Sequence, residues 1–317
     1  MKSIDIALVF NDNYSIPCAV TIESLMDYRN KNYIYKFHVI STDITECHKF
    51  KLKELVDKFA NCEIFFIEGA GLLNEYYDKV SEKNYPKEMY FKLILTSLFP
   101  NIEKIVVTDV DVVFNGDITK EFESFTTDEY FAGVKMVQEK THPPFPLDIK
   151  DNGLHFLCGA GYLILNLNKM RKDDIEKELL RNLIEFQDFL KLPDQELLTI
   201  TCYPKIKLIH PRNMVLVSWL TGKEFGYEFL YEYKHTCSEK EFKEALENPI
   251  QIHYVEGGDR WKKPWIDPAC PVADKWYMYL SKTNFFMEHI RNIMRSSTDR
   301  NKKHKESWFK RSIKIFS

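Results

Sequence analysis

KIVVTDVDVVF (104–114) is the stretch that decides how this chain reads. Ile105, Val106 and Val107 form the unbroken apolar run of a strand buried on both faces, as the centre of a parallel sheet requires. Asp109 and Asp111 follow at once. Carboxylates are costly at the end of such a strand unless something there compensates them. In an open α/β sheet, ligands bind beyond the carboxyl ends of the strands, where the strand order reverses. Side chains two apart share one side of an extended chain, so both acids can approach one hard cation if the segment bends out of the sheet. The Asp-x-Asp spacing alone is a weak signal; its place after a buried strand strengthens it.

Before this stretch, short β-type runs alternate with helical patterns: IDIALVF (4–10), a helix near 16–29, YKFHVIS (35–41), a charged helix near 45–59, CEIFFI (62–67) and a helix over about 86–98. That alternation is the signature of βαβ units and a parallel sheet. After it, FAGVKM (131–136), GYLILNL (161–167), IKLIH (206–210) and IQIHYV (250–255) read as further strands, with helices near 170–187 and 194–202. The fold class is α/β with a central, mostly parallel mixed sheet. THPPFPLDIKDNG (141–153) reads as a long loop.

With 317 residues, 44% hydrophobic and 29% charged, the chain has an ordinary globular composition. A net charge of −3 disfavours a nucleic-acid surface, which needs clustered basic residues on its working face. Seven cysteines without CxxC spacing suggest neither a zinc ribbon nor a disulfide framework, and a reduced cytosol fits them best. The opening MKSIDIALVF runs straight into a strand pattern without a signal-peptide cleavage site. The expected location is cytoplasmic.

Five segments in order carry a resemblance to family 8 of the retaining glycosyltransferases, the group of glycogenin and the bacterial lipooligosaccharide galactosyl- and glucosyltransferases. ALVFNDNYSIPCAVTIESL (7–25) resembles the opening strand, loop and helix that hold the nucleotide. MYFKLILTSLFPNIEKIVVTDVDVVFNGDI (89–118) resembles the stretch ending in the metal-binding DxD, and HFLCGAGYLILNLNKMR (155–171) resembles FNAGVLLINLKKWR. LPDQELL (192–198) matches the DQ motif near the sugar, and IHYVEGGDRWKKPW (252–265) resembles the HxxGxxKPW element.

The resemblance implies a single GT-A type domain over residues 1–270 that transfers a hexose, glucose or galactose, from a UDP-sugar to a surface-glycan or lipid-linked acceptor. Asp109, Asp111 and His253 would hold the metal. Their mixed oxygen and nitrogen donors suit Mn²⁺, with Mg²⁺ as the alternative. Lys263 would meet the diphosphate as a point charge, and Gly257 and Gly258 would let the backbone come close to it. Val9, Asn11, Asn13, Tyr14 and Lys92 complete the nucleotide set. Asp194 and Gln195 would lie at the sugar, Gln195 on the face opposite the leaving group. An amide is a poor nucleophile, which favours attack by the acceptor on the leaving-group face.

The chain departs from the family pattern in places. Lys92 stands where Arg is common, Asn11 where an Asp is usual, and Cys158 near the usual Asn, where a sugar-hydroxyl contact is lost; the His-to-KPW element is longer. Blander readings stand beside these: His253 as a core histidine, Asp194 and Gln195 as a helix cap and polar first turn, Lys92 on a solvated helix face. The competing functions are a catalytically silent nucleotide-sugar binder and a sugar nucleotidyltransferase, although NDNYSIP (11–17) lacks the latter's Gly-rich signature. No GxGxxG follows the first strand, which disfavours a dehydrogenase.

Residues 271–317 read as a helical, basic C-terminal region. From 289 onward, nine Lys and Arg face only Asp299 and Glu306, a net +7 that leaves −10 for the rest. WFKRSIKIFS (308–317) puts aromatic and aliphatic side chains on one helical face and Lys310, Arg311 and Lys314 on the other. That pattern suits the plane of an anionic bilayer on the cytoplasmic side. The alternative is that the aromatics of 273–294 cover the catalytic core.

Overall fold

The computed structural model describes residues 1–80, 85–126, 128–137, 156–221, 237–256 and 261–295. The loop at 141–153, Gly257, Gly258 and the segment 308–317 lie outside the described residues.

Seven strands form one sheet in the order β3-β2-β1-β4-β7-β6-β8. They are β1 (Lys2–Val9), β2 (Tyr33–Ser41), β3 (Cys62–Glu68), β4 (Lys104–Thr108), β6 (Phe131–Val137), β7 (Phe156–Asn166) and β8 (Ile206–Ile209). β1, β2, β3 and β4 pair in parallel, and β7 runs antiparallel to both β4 and β6. The mostly parallel, mixed α/β sheet expected from the sequence is what the chain forms.

Alternation along β1 explains how the sheet is buried on both faces. Ile4, Ile6 and Leu8 join a cluster with α1 (Ser15–Asp27) and α2 (Glu46–Val56), while Ala7 joins a second cluster with Leu179, Leu183 and Leu197 from helices on the other face. The chain leaves β1 toward β2 and β3, then returns to β4 on the opposite side of β1. The carboxyl ends of β1 and β4 therefore border the point where strand order reverses.

The stretch 104–114 departs from the expectation of one continuous strand. β4 stops at Thr108, and β5 (Val112–Phe114) belongs to a separate three-stranded sheet with β10 (Gln251–His253) and β9 (Val215–Leu216). The helix expected over 86–98 is instead a 3₁₀ segment, Lys87–Leu93, followed by one α-turn, Leu95–Leu98. Apolar spacing alone does not separate the two geometries.

Beyond residue 270, the helix Ala273–Leu280 and the helical residues 286–295 pack onto the main core. Trp276, Leu280 and Phe285 are fully buried there, in the same cluster as α1. No helix among the described residues is long and apolar enough to cross a membrane.

Candidate functional site

The break at Asp109–Asp111 is held from three sides. Asp109 N still donates to Gly161 O of β7 at 3.2 Å, so the chain leaves the large sheet only after that residue. The buried Thr21 hydroxyl of α1 lies 2.8 Å from Val110 O and 2.9 Å from Val112 O, and Ser24 Oγ accepts from Phe114 N at 2.9 Å. Antiparallel pairing then sets His253 opposite Val112, and Tyr254 N donates to Asp111 O at 2.9 Å. Two acids and a histidine separated by over 140 positions meet through strand register.

His253 Nε2 stands 3.1 Å from Asp111 Oδ1 and 3.6 Å from Asp109 Oδ2. One ligand atom from each of the three residues lies within 4.8 Å of the others. Two carboxylates and an imidazole suit a divalent cation of the Mn²⁺ or Mg²⁺ type. The space beside them is kept open by Gly161, where a Cβ would come within 2.7 Å of His253 Nδ1 and 3.2 Å of Asp109 Oδ2. The residues fit a metal.

Two buried lysines bracket the acids. Lys263 donates to Asp111 Oδ2 and to Tyr254 O. Burial alone would raise the Asp111 carboxyl, but Lys263 and then His253 outweigh it and hold it well below the ordinary carboxylate range. Burial works against the Lys263 charge, and Asp111 more than restores it. Lys92, 4% exposed, donates to Asp109 Oδ1 and Asp194 Oδ2, each at 2.7 Å, and to Ala160 O at 3.2 Å. Burial opposes its charge, yet Asp109 and Asp194 raise it above the ordinary lysine range. Lys92 is thus no solvated helix residue. Its three N–H donors are all engaged, which leaves none for a phosphate.

A cavity of about 890 Å³ gathers most of the expected residues: Val9, Asn11, Tyr14, Lys92, Asp109, Asp111, Asp194, Gln195, His253 and Lys263 all line it. Its size is that of a ligand site. Asn11 Oδ1 is buried in its wall without a hydrogen-bond partner among the described residues. Asn13 is exposed and does not line the cavity, because the 3₁₀ turn Asp12–Tyr14 directs Tyr14 inward instead. Asp12 serves the loop: its Oδ1 accepts from Thr45 N at 3.0 Å and lies 2.7 Å from His48 Nδ1. Asp194 is buried, and its Oδ1 accepts the backbone N–H of Gln195 at 2.9 Å.

Sequence reasoning did not find Thr21, Gly161 or Gln251, whose Nε2 donates to Thr108 Oγ1 at 2.9 Å and Gly161 O at 3.2 Å. A polar residue inside an otherwise apolar helix or strand was the available signal. Cys158, near the family's usual Asn, is buried in the second core cluster, and it is Gly159 that lines the cavity. Neighbouring residues of a strand face opposite ways, so an offset of one exchanges the two environments.

The Trp of the KPW element links this site to the C-terminal helices. Trp265 meets Tyr14 edge-on at 5.4 Å and lies 5.9 Å from Trp276, while Tyr277 Oη donates to Pro264 O at 3.0 Å.

Comparison with known proteins agrees with this arrangement. General stress protein A of Bacillus subtilis (strain 168) is 24% identical over 280 residues, covering 87% of this chain and 92% of the relative. Among solved structures, the WbbM bifunctional glycosyltransferase superposes with a TM-score of 0.75 at 20% identity over 92% of this chain. The chain spans 51% of WbbM's length. The galactosyltransferase LgtC, in complex with donor and acceptor sugar analogues, gives a TM-score of 0.69 at 16% identity, covering 89% of this chain and 96% of LgtC. These structural likenesses concern the fold, which is of the GT-A type. The profile of glycosyl transferase family 8 matches residues 5–269. A match over most of the length, on a fold whose site gathers two acids, a histidine and two lysines at a strand-order reversal, places this chain in glycosyltransferase family 8.

Proposed function

We propose that this glycosyltransferase moves a hexose, on the glucose or galactose frame, from a UDP-sugar to a surface-glycan or lipopolysaccharide-type acceptor, with retention at the anomeric carbon and Mn²⁺ as the cation. The observation that carries the reading is the meeting of Asp109, Asp111 and His253 in one cavity with Asp194 and Gln195. A divalent cation held by the three ligands would neutralise charge developing on the departing diphosphate. Lys263 lines the same cavity and already rests on Asp111, so its ammonium is placed to serve the same leaving group. Asp194, fixed by Lys92, takes the sugar hydroxyls, and Gln195 stands beside the anomeric centre without becoming a durable nucleophile. Residues 1–270 form the catalytic unit in this reading, and the basic C-terminal region brings it to an anionic membrane on the cytoplasmic side.

The test is release of UDP from UDP-glucose and UDP-galactose with Mn²⁺, repeated in chelator. Slow hydrolysis that stops on chelation supports the enzyme. Thermal stabilisation by UDP and Mn²⁺ without release would instead make the chain a silent binder.

A further inference from the structure

The reaction cavity changes character along β7. Residues 159 and 161 project from one face of that strand, and positions two apart lie roughly 7 Å from one another. At Gly161 an added Cβ would meet the metal ligands His253 and Asp109. At Gly159 it would meet Met214 Cε at 2.1 Å, Met214 Sδ at 2.8 Å and Met136 Cγ at 3.3 Å. Neither glycine holds a left-handed backbone, so both are there for room rather than conformational freedom. Met214 fills the volume that a side chain at 159 would take. Leu157 and Leu216 continue the wall.

The side chains of Met136, Leu157, Met214 and Leu216 carry no strong hydrogen-bond donor or acceptor, and Gly159 lies roughly 7 Å along β7 from Gly161, which abuts the cation ligands. A sugar joined to a metal-held diphosphate would share the cavity that this patch lines. A hydroxyl pressed there gives up water and gains no partner, whereas a methyl group gains contact with adaptable thioethers.

We infer that the transferred hexose carries a methyl-bearing substituent that seats on the apolar wall of Met214, Met136 and Leu157 beside Gly159, which makes these residues specificity determinants. Two sources supply that chemistry: the methyl of an acetamido group, or C6 of a 6-deoxyhexose. The inference rests on the UDP-sugar reading above and narrows its donor class.

The experiment compares kcat/KM for UDP release by the full chain with Mn²⁺ across UDP-glucose, UDP-galactose, their N-acetylamino counterparts and their 6-deoxy analogues. One matched or missing methyl in an apolar pocket is worth about tenfold or more. An advantage of that size for the acetamido pair or the 6-deoxy pair supports the inference and identifies the source. Met214→Gln, close in volume, should shrink the advantage. Plain hexoses turning over as fast or faster, or a preference that M214Q leaves untouched, overturns it. UDP stabilisation in Mn²⁺ separates the two levels: stabilisation with the wrong sugar preference sinks only this inference, and no stabilisation by UDP at all sinks the UDP-sugar reading together with it.

Discussion

Lys92 Nζ lies 2.7 Å from Asp194 Oδ2, with the two side chains only 5% and 9% exposed. Because the same ammonium stands 2.7 Å from Asp109 Oδ1, one cation joins Asp194 to an acid of the candidate metal triad.

Removing that cation should damage folding before chemistry. Lys92→Met leaves two carboxylates facing each other without compensation, and breaking a buried pair from one side costs about 3–5 kcal/mol. Denaturant unfolding should show a loss of that order. The double variant K92M/D194N should recover part of it, since one of the stranded charges is gone. Equal stability of wild type and K92M would refute the burial argument.

The metal ligands should show their loss first in activity, with the chain still folded, although Asp111→Ala also strands the Lys263 ammonium. Asp109→Ala, Asp111→Ala and His253→Ala should each lower turnover by about 10²-fold or more, the loss typical when charge stabilisation of a leaving group is removed. Melting curves should retain one cooperative transition. Wild-type turnover in chelator by D109A/D111A would exclude this site as the cation's place.

Gln195→Ala should produce a milder loss than any metal ligand, and the product should keep the α configuration. Product NMR settles it: an inverted anomer would remove the chain from the retaining mechanism.

His48 should make stability depend on pH. Its ring bridges Asp12 Oδ1 at 2.7 Å and Glu288 Oε1 at 2.9 Å, tying the loop after β1 and α2 to the C-terminal helical residues. Burial opposes its charge, but Glu288 and Asp12 outweigh burial and raise its pKa. Stability from a raised histidine is fully present below its unfolded value near 6.5 and is lost as pH climbs through the higher folded value. Wild type should therefore exceed His48→Gln in stability by more at pH 5.5 than at pH 8.5. A gap that is constant, or widens with pH, contradicts the bridge.

Deleting residues 296–317 should leave turnover on a soluble acceptor nearly unchanged while abolishing co-sedimentation with anionic vesicles. Full-length binding should weaken with salt, as screening requires. Equal sedimentation of both forms, or binding to neutral vesicles alike, would exclude an electrostatic attachment.

How far the site was legible follows from what is local and what is not. The strand before Asp109 announces itself by composition, because burial on both faces demands an apolar run. That Val112 begins a strand of another sheet does not, since the residues on either side of the acids look alike. The bend depends on Thr21 and on pairing with β10, both distant in sequence. The burial of Lys92 was not legible for the same reason: its partners Asp109 and Asp194 lie 17 and 102 positions away. Cys158 and Gly159 show the limit of motif matching at one-residue resolution, where strand parity alone decides which faces the cavity.

The three-residue pairing that presents His253 also constrains how this chain can change over generations. A single residue gained or lost within Gln251–His253 would turn the imidazole to the far side of its strand, because side chains alternate with a period of two. Added length escapes this constraint only after the pairing ends, and the segment from His253 to Lys263 is longer than the family pattern. Insertions beyond residue 253 escape this parity constraint, although Tyr254 and Lys263 must still meet Asp111.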